Sequence, residues 1–273
     1  MTDYICADIG GTKTIISLID KRFRLHKTQH IDTPKSFEEF KDLFESIGEL
    51  SRYSDTLNIS LAGRVDKRGR ILMLPNINLK KGLNIKRFFG SKFKRINIEN
   101  DAVCAALKAI NDKKIKNGLV ITWGTGIGGA IVINGKVFLG NGAAGEIGHV
   151  YFDNGEIENR IGGKVMVKRF GMDGKKMQEL AKKGDKKARN MFSVIGEEFG
   201  SFLRSLIYIF DPSDIVLVGS FTRSWNFMKP SVYYTLNKGW MKPHVRIHVV
   251  KDKFYTLKGS YLLGKYGNSD YKL

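Results

Sequence analysis

The sequence of 273 residues predicts an α/β protein built as two similar lobes, each a mixed β-sheet flanked by helices. Three observations predict it. A strand, a glycine turn and a second strand open the chain, and the same design returns at Gly118 to Ile133. Amphipathic helical runs alternate with buried strands, the pattern of helices laid on a sheet. Finally, 42% hydrophobic residues suffice for a sizeable core, while no run reaches the ~18 apolar residues that cross a bilayer.

In chain order, Tyr4 to Ala7 is an apolar strand that delivers Asp8 into Ile9-Gly10-Gly11-Thr12-Lys13-Thr14, and Ile15 to Ile19 carries the chain away. The two glycines permit positive φ and let backbone N–H groups approach a ligand, while Thr12 and Thr14 add hydroxyls and Lys13 a cation. Such a tip suits a polyphosphate, and Asp8 is placed to hold hydrated Mg²⁺. An ordinary hairpin is the other reading of the same residues. Phe23 to Ile31 reads as a third strand. Ser36 then caps an amphipathic helix through Phe37, Phe40, Phe44 and Ile47, and Thr56 to Leu61 is a strand running into Ala62-Gly63-Arg64, where Gly63 permits close approach to something small.

Pro75-Asn76 marks a loop whose amide could meet a ligand hydroxyl or merely build a turn, and a short helix follows around Ile85 to Phe89. Arg95 to Ile98 is a strand leading into Glu99-Asn100-Asp101, and Ala102 to Ile110 is helical. Asn100 and Asp101 therefore sit where a strand meets a helix. They are either an N-cap or a polar pair at the carboxyl edge of a sheet, where ligands of open α/β sheets bind. Gly118 to Trp123 is a second buried strand, leading to Gly124-Thr125-Gly126-Ile127-Gly128-Gly129 and an apolar strand at Ala130 to Ile133. Paired tips suggest half-molecules gripping one phosphate chain across a cleft. Later, Asp185 to Phe210 reads as a long helix, Asp214 to Val218 as a buried strand closing on Gly219, Lys229 onward as a basic helix-like segment, Val245 to Val250 as a strand and Leu257 to Tyr266 as a final helix.

Composition narrows the function classes. Forty-six basic residues against 27 acidic give a net charge of +19, which attracts polyanions. The basic residues are dispersed, however, with no Cys/His finger spacing and no aromatic string of the RNA-binding kind, which argues against nucleic acid as the main partner. Cys6 and Cys104 lie in apolar runs far apart, as reduced buried thiols do. The N-terminus enters a strand directly, so the expectation is a soluble cytoplasmic protein without a membrane role.

Taken together, these motifs resemble the ROK family of sugar kinases, within the actin, Hsp70 and hexokinase-like ATPase superfamily. Asp8-Ile-Gly-Gly-Thr-Lys13 resembles the family's first phosphate motif and Trp123 to Gly129 the second; Pro75-Asn76 and Glu99 to Ala102 fall between them in order, and Gly145-Glu146-Ile-Gly-His149 resembles the sugar motif. The resemblance implies a two-lobed actin-like (ribonuclease H-like) fold with its site in the interlobe cleft. Its smaller lobe would be residues 1–110 plus 257–273 and its larger lobe 111–256, because the family's last helix packs back on the first lobe.

The same resemblance implies an ATP- and Mg²⁺-dependent hexose kinase acting on the 6-hydroxyl of glucose or a relative. Asp101 would be the catalytic base, and Gly63, Asn76, Asn100, Glu146 and His149 would bind sugar. Gly10, Gly11, Thr12, Lys13, Gly124, Thr125, Gly126 and Gly219 would bind nucleotide, with Asp8 on the magnesium and a homodimer as the assembly. Within the family, N-acetylglucosamine, N-acetylmannosamine or fructose are alternative acceptors, and polyphosphate or another nucleotide an alternative donor. A sugar sensor or sugar-responsive transcriptional regulator is the alternative of another class. One departure stands out: family members follow the Gly-His with closely spaced cysteines that bind structural zinc, whereas Val150 to Asn159 contains none. Zinc is not expected here, and Glu158, in Gly155-Glu-Ile-Glu158, is the candidate for a further sugar contact.

Overall fold

The computed structural model describes residues 3–66, 68–75, 79, 82–240 and 244–266. The chain divides into two compact units, one running to Lys113 and resuming at Phe254, the other Lys114–Lys253.

In the first unit, β1 (Tyr4–Ile9), β2 (Lys13–Ile19) and β3 (Leu25–Asp32) form an antiparallel meander, followed by α1 (Phe37–Glu49) and β4 (Thr56–Leu61). A small ribbon, β5 (Arg64–Val65) and β6 (Ile71–Met73), precedes α2 (Lys86–Phe89), β7 (Arg95–Asn100) and α3 (Asp101–Lys113). The sheet order is β3-β2-β1-β4-β7, with β1, β4 and β7 mutually parallel. The apolar runs of β1 and β4 make them the buried centre, whereas β3, carrying His26, Lys27 and His30, is an exposed edge. Helix α1 starts where Ser36 Oγ accepts the Glu39 amide at 3.2 Å, and its 3.6-residue stripe of Phe40, Leu43, Phe44 and Ile47 is buried.

The second unit repeats the plan. Strands β8 (Gly118–Trp123), β9 (Ile127–Ile133) and β10 (Lys136–Phe138) form a meander, and a hairpin of β11 (Tyr151–Phe152) and β12 (Gly155–Glu156) follows. Then come α4 (Glu158–Ile161), α5 (Met166–Phe170), α6 (Gly174–Lys182), α7 (Lys186–Phe210), β13 (Asp214–Val218), α8 (Trp225–Leu236) and β14 (Arg246–Val249). The sheet order β10-β9-β8-β13-β14 again sets two antiparallel partners on one side and parallel strands on the other. Asp185 caps α7 by accepting the Ala188 amide at 2.7 Å, and the helix buries Phe192, Ile195, Phe199, Phe202 and Leu203. The Trp123 ring lies 4.3 Å from Phe199 and 4.8 Å from Phe221, centroid to centroid, and its indole N–H donates to the Ile161 carbonyl at 2.9 Å.

The last helix, α9 (Tyr255–Tyr266), returns to the first unit and packs on α3, β1 and β4. Three readings of the sequence change. The segment expected from Lys229 is helical from Trp225, since Trp225 and Met228 are buried with Val232 on the same face. Val150 to Asn159, to which the sequence assigned no element, is a hairpin entering a helix. Helices α5 and α6 were not anticipated, being short and lysine-rich.

Candidate functional site

In the first unit, β1, β4 and β7 run parallel and end together, so Asp8, Gly63, Asn100 and Asp101 gather at one carboxyl edge beside the turn 10–13. The turn is held by the Gly10 amide donating to the Lys13 carbonyl at 3.1 Å. Neither Gly10 nor Gly11 uses the positive φ that glycine permits. The requirement at Gly10 is room instead, since a Cβ there would lie 3.0 Å from the Lys13 carbonyl oxygen. Thr12 and Lys13 are exposed at the tip. Thr33, which the sequence did not single out, braces it: its hydroxyl donates to the Gly10 carbonyl at 2.7 Å and its amide to the Thr12 carbonyl at 2.9 Å.

Asp8 Oδ1 accepts the Ser60 hydroxyl at 2.7 Å, a partner that no sequence motif indicated. Burial nevertheless pushes the Asp8 carboxyl up to about 6. A hard oxygen donor whose charge is penalised by burial fits a divalent cation. Among the described residues no group of three or more Asp, Glu, His or Cys could cage a metal. A single carboxylate of this kind suits magnesium, which keeps most of its waters and takes other ligands from phosphate oxygens.

Asn100 is consumed by local structure at both ends of its amide. Its Nδ2 donates to the Gly63 carbonyl at 3.1 Å, and its Oδ1 accepts the Ala102 amide at 2.9 Å. Gly63 is itself buried with Met73 against it, and its carbonyl holds Asn100. Asp101 begins α3 and accepts the Ala102 amide at 2.8 Å, which fixes its carboxylate at the edge of the sheet. The thiol of Cys104 is pushed well above its usual range, first by burial and then by the negative charges of Glu99, Asp8 and Asp101, which marks how much acid this edge concentrates. Asn76 lies outside the described residues.

In the second unit, Gly124 to Gly126 close the end of β8, and the backbone of a later segment grips them. The amides of Gly163 and Lys164 donate to the carbonyls of Gly124 and Thr125 at 3.0 and 2.8 Å. Gly219 follows the parallel neighbour β13 at φ 113°, pressed on the Trp123 backbone, where any side chain would collide. Glu158 has a different occupation from the sugar contact expected of it. It is 5% exposed, its Oε2 accepts the Ile127 amide at 2.7 Å, and its Oε1 pairs with Lys164 at 2.5 Å. Both oxygens are thus spent on bracing the glycine turn. Glu146 and His149 flank a short helical turn, and His149 Nδ1 meets Glu156 Oε2 at 3.2 Å.

The zinc that the fold family implies does not fit these residues. No cysteine lies between 150 and 159, Cys6 and Cys104 are buried in the other unit, and the Nδ1 of His149 is taken by a carboxylate. No helix among the described residues is long and apolar enough to cross a membrane.

Known proteins share this chain's family pattern and its fold. The model described as the ROK family matches residues 4–259. An N-acetyl-D-glucosamine kinase of Histophilus somni is 33% identical over 159 residues, covering 54% of this chain and 52% of that protein, so the match spans about half of the relative. A ROK family glucokinase of Streptomyces griseus, solved with glucose and AMPPNP, superposes with a TM-score of 0.85 at 25% identity over 97% of this chain and 100% of its own. A ROK family transcriptional regulator, homologue of the Escherichia coli MLC protein, shares the fold with a TM-score of 0.84 at 18% identity, over 96% of this chain and 78% of its own.

Proposed function

The chain belongs to the ROK family, and from that premise we propose that it is a cytoplasmic sugar kinase that moves the γ-phosphoryl group of ATP to the 6-hydroxyl of glucose or a related hexose. The observation that carries the reading is the edge of the first sheet, where Asp8, Asn100 and Asp101 gather beside the Gly10–Lys13 turn. Asp101 accepts the proton of the attacking hydroxyl, freeing the oxygen to bond to the γ-phosphorus while ADP departs. Its carboxylate is suited to that by its fixed position at the sheet edge. In the first unit the exposed Thr12 and Lys13 and the amides of the Gly10–Lys13 turn would meet phosphate oxygens, and in the second the amides of the Gly124–Gly126 turn and Gly219 would meet nucleotide. Magnesium held through water by Asp8 would neutralise charge on the phosphates. In the second unit Glu146 and His149 supply directional partners for the sugar hydroxyls, and a missing hydroxyl would leave a hydrogen bond unmade, while Asn100 serves the first unit by tying Gly63 to the start of α3. A homodimer is part of the same reading.

N-acetylglucosamine is the second acceptor to test, because the Histophilus somni enzyme is named for it. The test is an ADP-release assay with ATP and Mg²⁺ over a panel of glucose, mannose, fructose, N-acetylglucosamine and N-acetylmannosamine, using the parent and Asp101→Asn. Turnover of one acceptor that falls about 10³-fold or more in Asp101→Asn, with sugar binding retained, is the expected result. Calorimetric sugar binding without ADP release by the parent would favour a sensor and overturn the kinase reading.

A further inference from the structure

The hairpin that follows the sugar motif is held by charge, and that arrangement reaches His149. Its two strands pair Tyr151 with Glu156 and Phe152 with Gly155, so Asp153 stands at the tip in a left-handed conformation at φ 57°. Arg160, on α4, binds Asp153 through Nη1 at 2.9 Å and Glu198, on α7, through Nη2 at 2.9 Å. Arg169 adds a fork onto the same Glu198 carboxylate at 2.6 and 2.7 Å and donates to the Arg160 carbonyl at 2.8 Å. Glu198 is 17% exposed and the Arg160 Nε is buried without a partner in the protein, so the Arg160–Glu198 pair at the centre of the clamp is partly shielded from solvent, while Asp153 and Arg169 stay on its exposed side. At the base of the hairpin, Glu156 Oε2 receives Asn159 Nδ2 at 3.1 Å and stands 3.2 Å from His149 Nδ1.

We propose that Glu156, fixed by the hairpin and by the Arg160–Glu198–Arg169 clamp, is a positioning residue that holds His149 as the Nδ1–H tautomer and leaves Nε2 to accept a hydrogen bond from a sugar hydroxyl. A carboxylate can only accept, so the imidazole nitrogen facing it carries the proton, and in the neutral ring the other nitrogen keeps its lone pair. Fixing a ring through its far nitrogen is a role metal centres give to outer carboxylates. Here carboxylate and clamp perform it where a zinc does not fit. The inference rests on the sugar-binding reading of His149.

Two measurements on the full chain test it. Nitrogen-15 histidine spectra of the parent near pH 8, assigned with His149→Gln, should show Nδ1 protonated and Nε2 bare. Glu156→Gln should lose that single tautomer and raise the sugar KM about tenfold, with kcat within twofold and the ATP KM unchanged. An Nε2–H tautomer in the parent, or a Glu156→Gln protein with the parent tautomer and parent KM, overturns the proposal. If His149→Gln itself keeps the parent sugar KM, the sugar-binding role of His149 falls, and the hydroxyl-accepting half of this inference with it, whatever the tautomer.

Discussion

Replacing Gly126 with alanine sets a methyl group against Glu158. A Cβ at Gly126 would overlap Oε2 and stand 2.9 Å from the carboxyl carbon. A side-chain end normally swings away cheaply, but this one is buried, accepts the Ile127 amide at 2.7 Å and pairs with Lys164 at 2.5 Å. Hydrogen bonds to charged groups contribute about 1.5–3 kcal/mol, and breaking a buried pair costs about 3–5 kcal/mol. Lys164 is one-third exposed and recovers some solvation, so the expected loss is about 3 kcal/mol. For a body of this size that lowers Tm by about 6–12 °C. Because the same turn would carry phosphate, the ATP KM should rise as well. The decisive comparison is a cycle with Glu158→Ala, read by thermal unfolding. With the carboxylate gone, adding Gly126→Ala should cost almost nothing further, giving a coupling of about 2 kcal/mol or more. A Gly126→Ala protein with the parent Tm, or strictly additive losses, would refute the bracing role.

Two pH-linked predictions accompany it. Burial raises the Asp214 carboxyl, but Arg246, His248 and Ser213 outweigh it and hold the group at about 2, below its ordinary 3.8. A depressed carboxyl stabilises the fold above its unfolded value and loses that contribution as pH falls from about 4 to about 2, so Asp214→Asn should be less stable by up to about 2 kcal/mol at pH 7 and equal at pH 2, in urea titrations. Asp8 has the opposite sign. Raised from 3.8 to about 6, it lowers stability as pH rises through that window, so Asp8→Asn should lose phosphoryl transfer yet be more stable above pH 6, by up to about 3 kcal/mol. A destabilised Asp8→Asn protein would contradict the burial argument.

What the sequence made legible follows from period and punctuation. Strands Thr56–Leu61, Gly118–Trp123 and Asp214–Val218 end where apolar runs end, and Asp185 announces α7 by its chemistry as a cap. The carboxyl-edge placement of Asn100 and Asp101 was readable from a strand meeting a helix. What escaped depends on partners distant in sequence. Thr33 and Ser60 are ordinary hydroxyl residues until folding sets them against Gly10 and Asp8, 23 and 52 positions away. Glu158 matched a sugar-binding pattern, yet Ile127 and Lys164 satisfy it first. The Arg160–Glu198 clamp joins residues 38 apart through charge, which leaves no periodic trace.

Helix α9 has a consequence for synthesis. Its Tyr261 ring lies 4.8 Å from that of Tyr4, and its Gly259 is pressed on the Cys104 carbonyl, so it covers a sheet and helix made of the chain's earliest residues. At ~5–20 residues per second, roughly seven to thirty seconds separate translation of Lys113 from that of Phe254. Throughout that interval the inner faces of β1 and α3 wait uncapped on the ribosome, and the Lys114–Lys253 unit can finish folding before the unit that began first. The older half is therefore the one that a nascent-chain chaperone would have to shield.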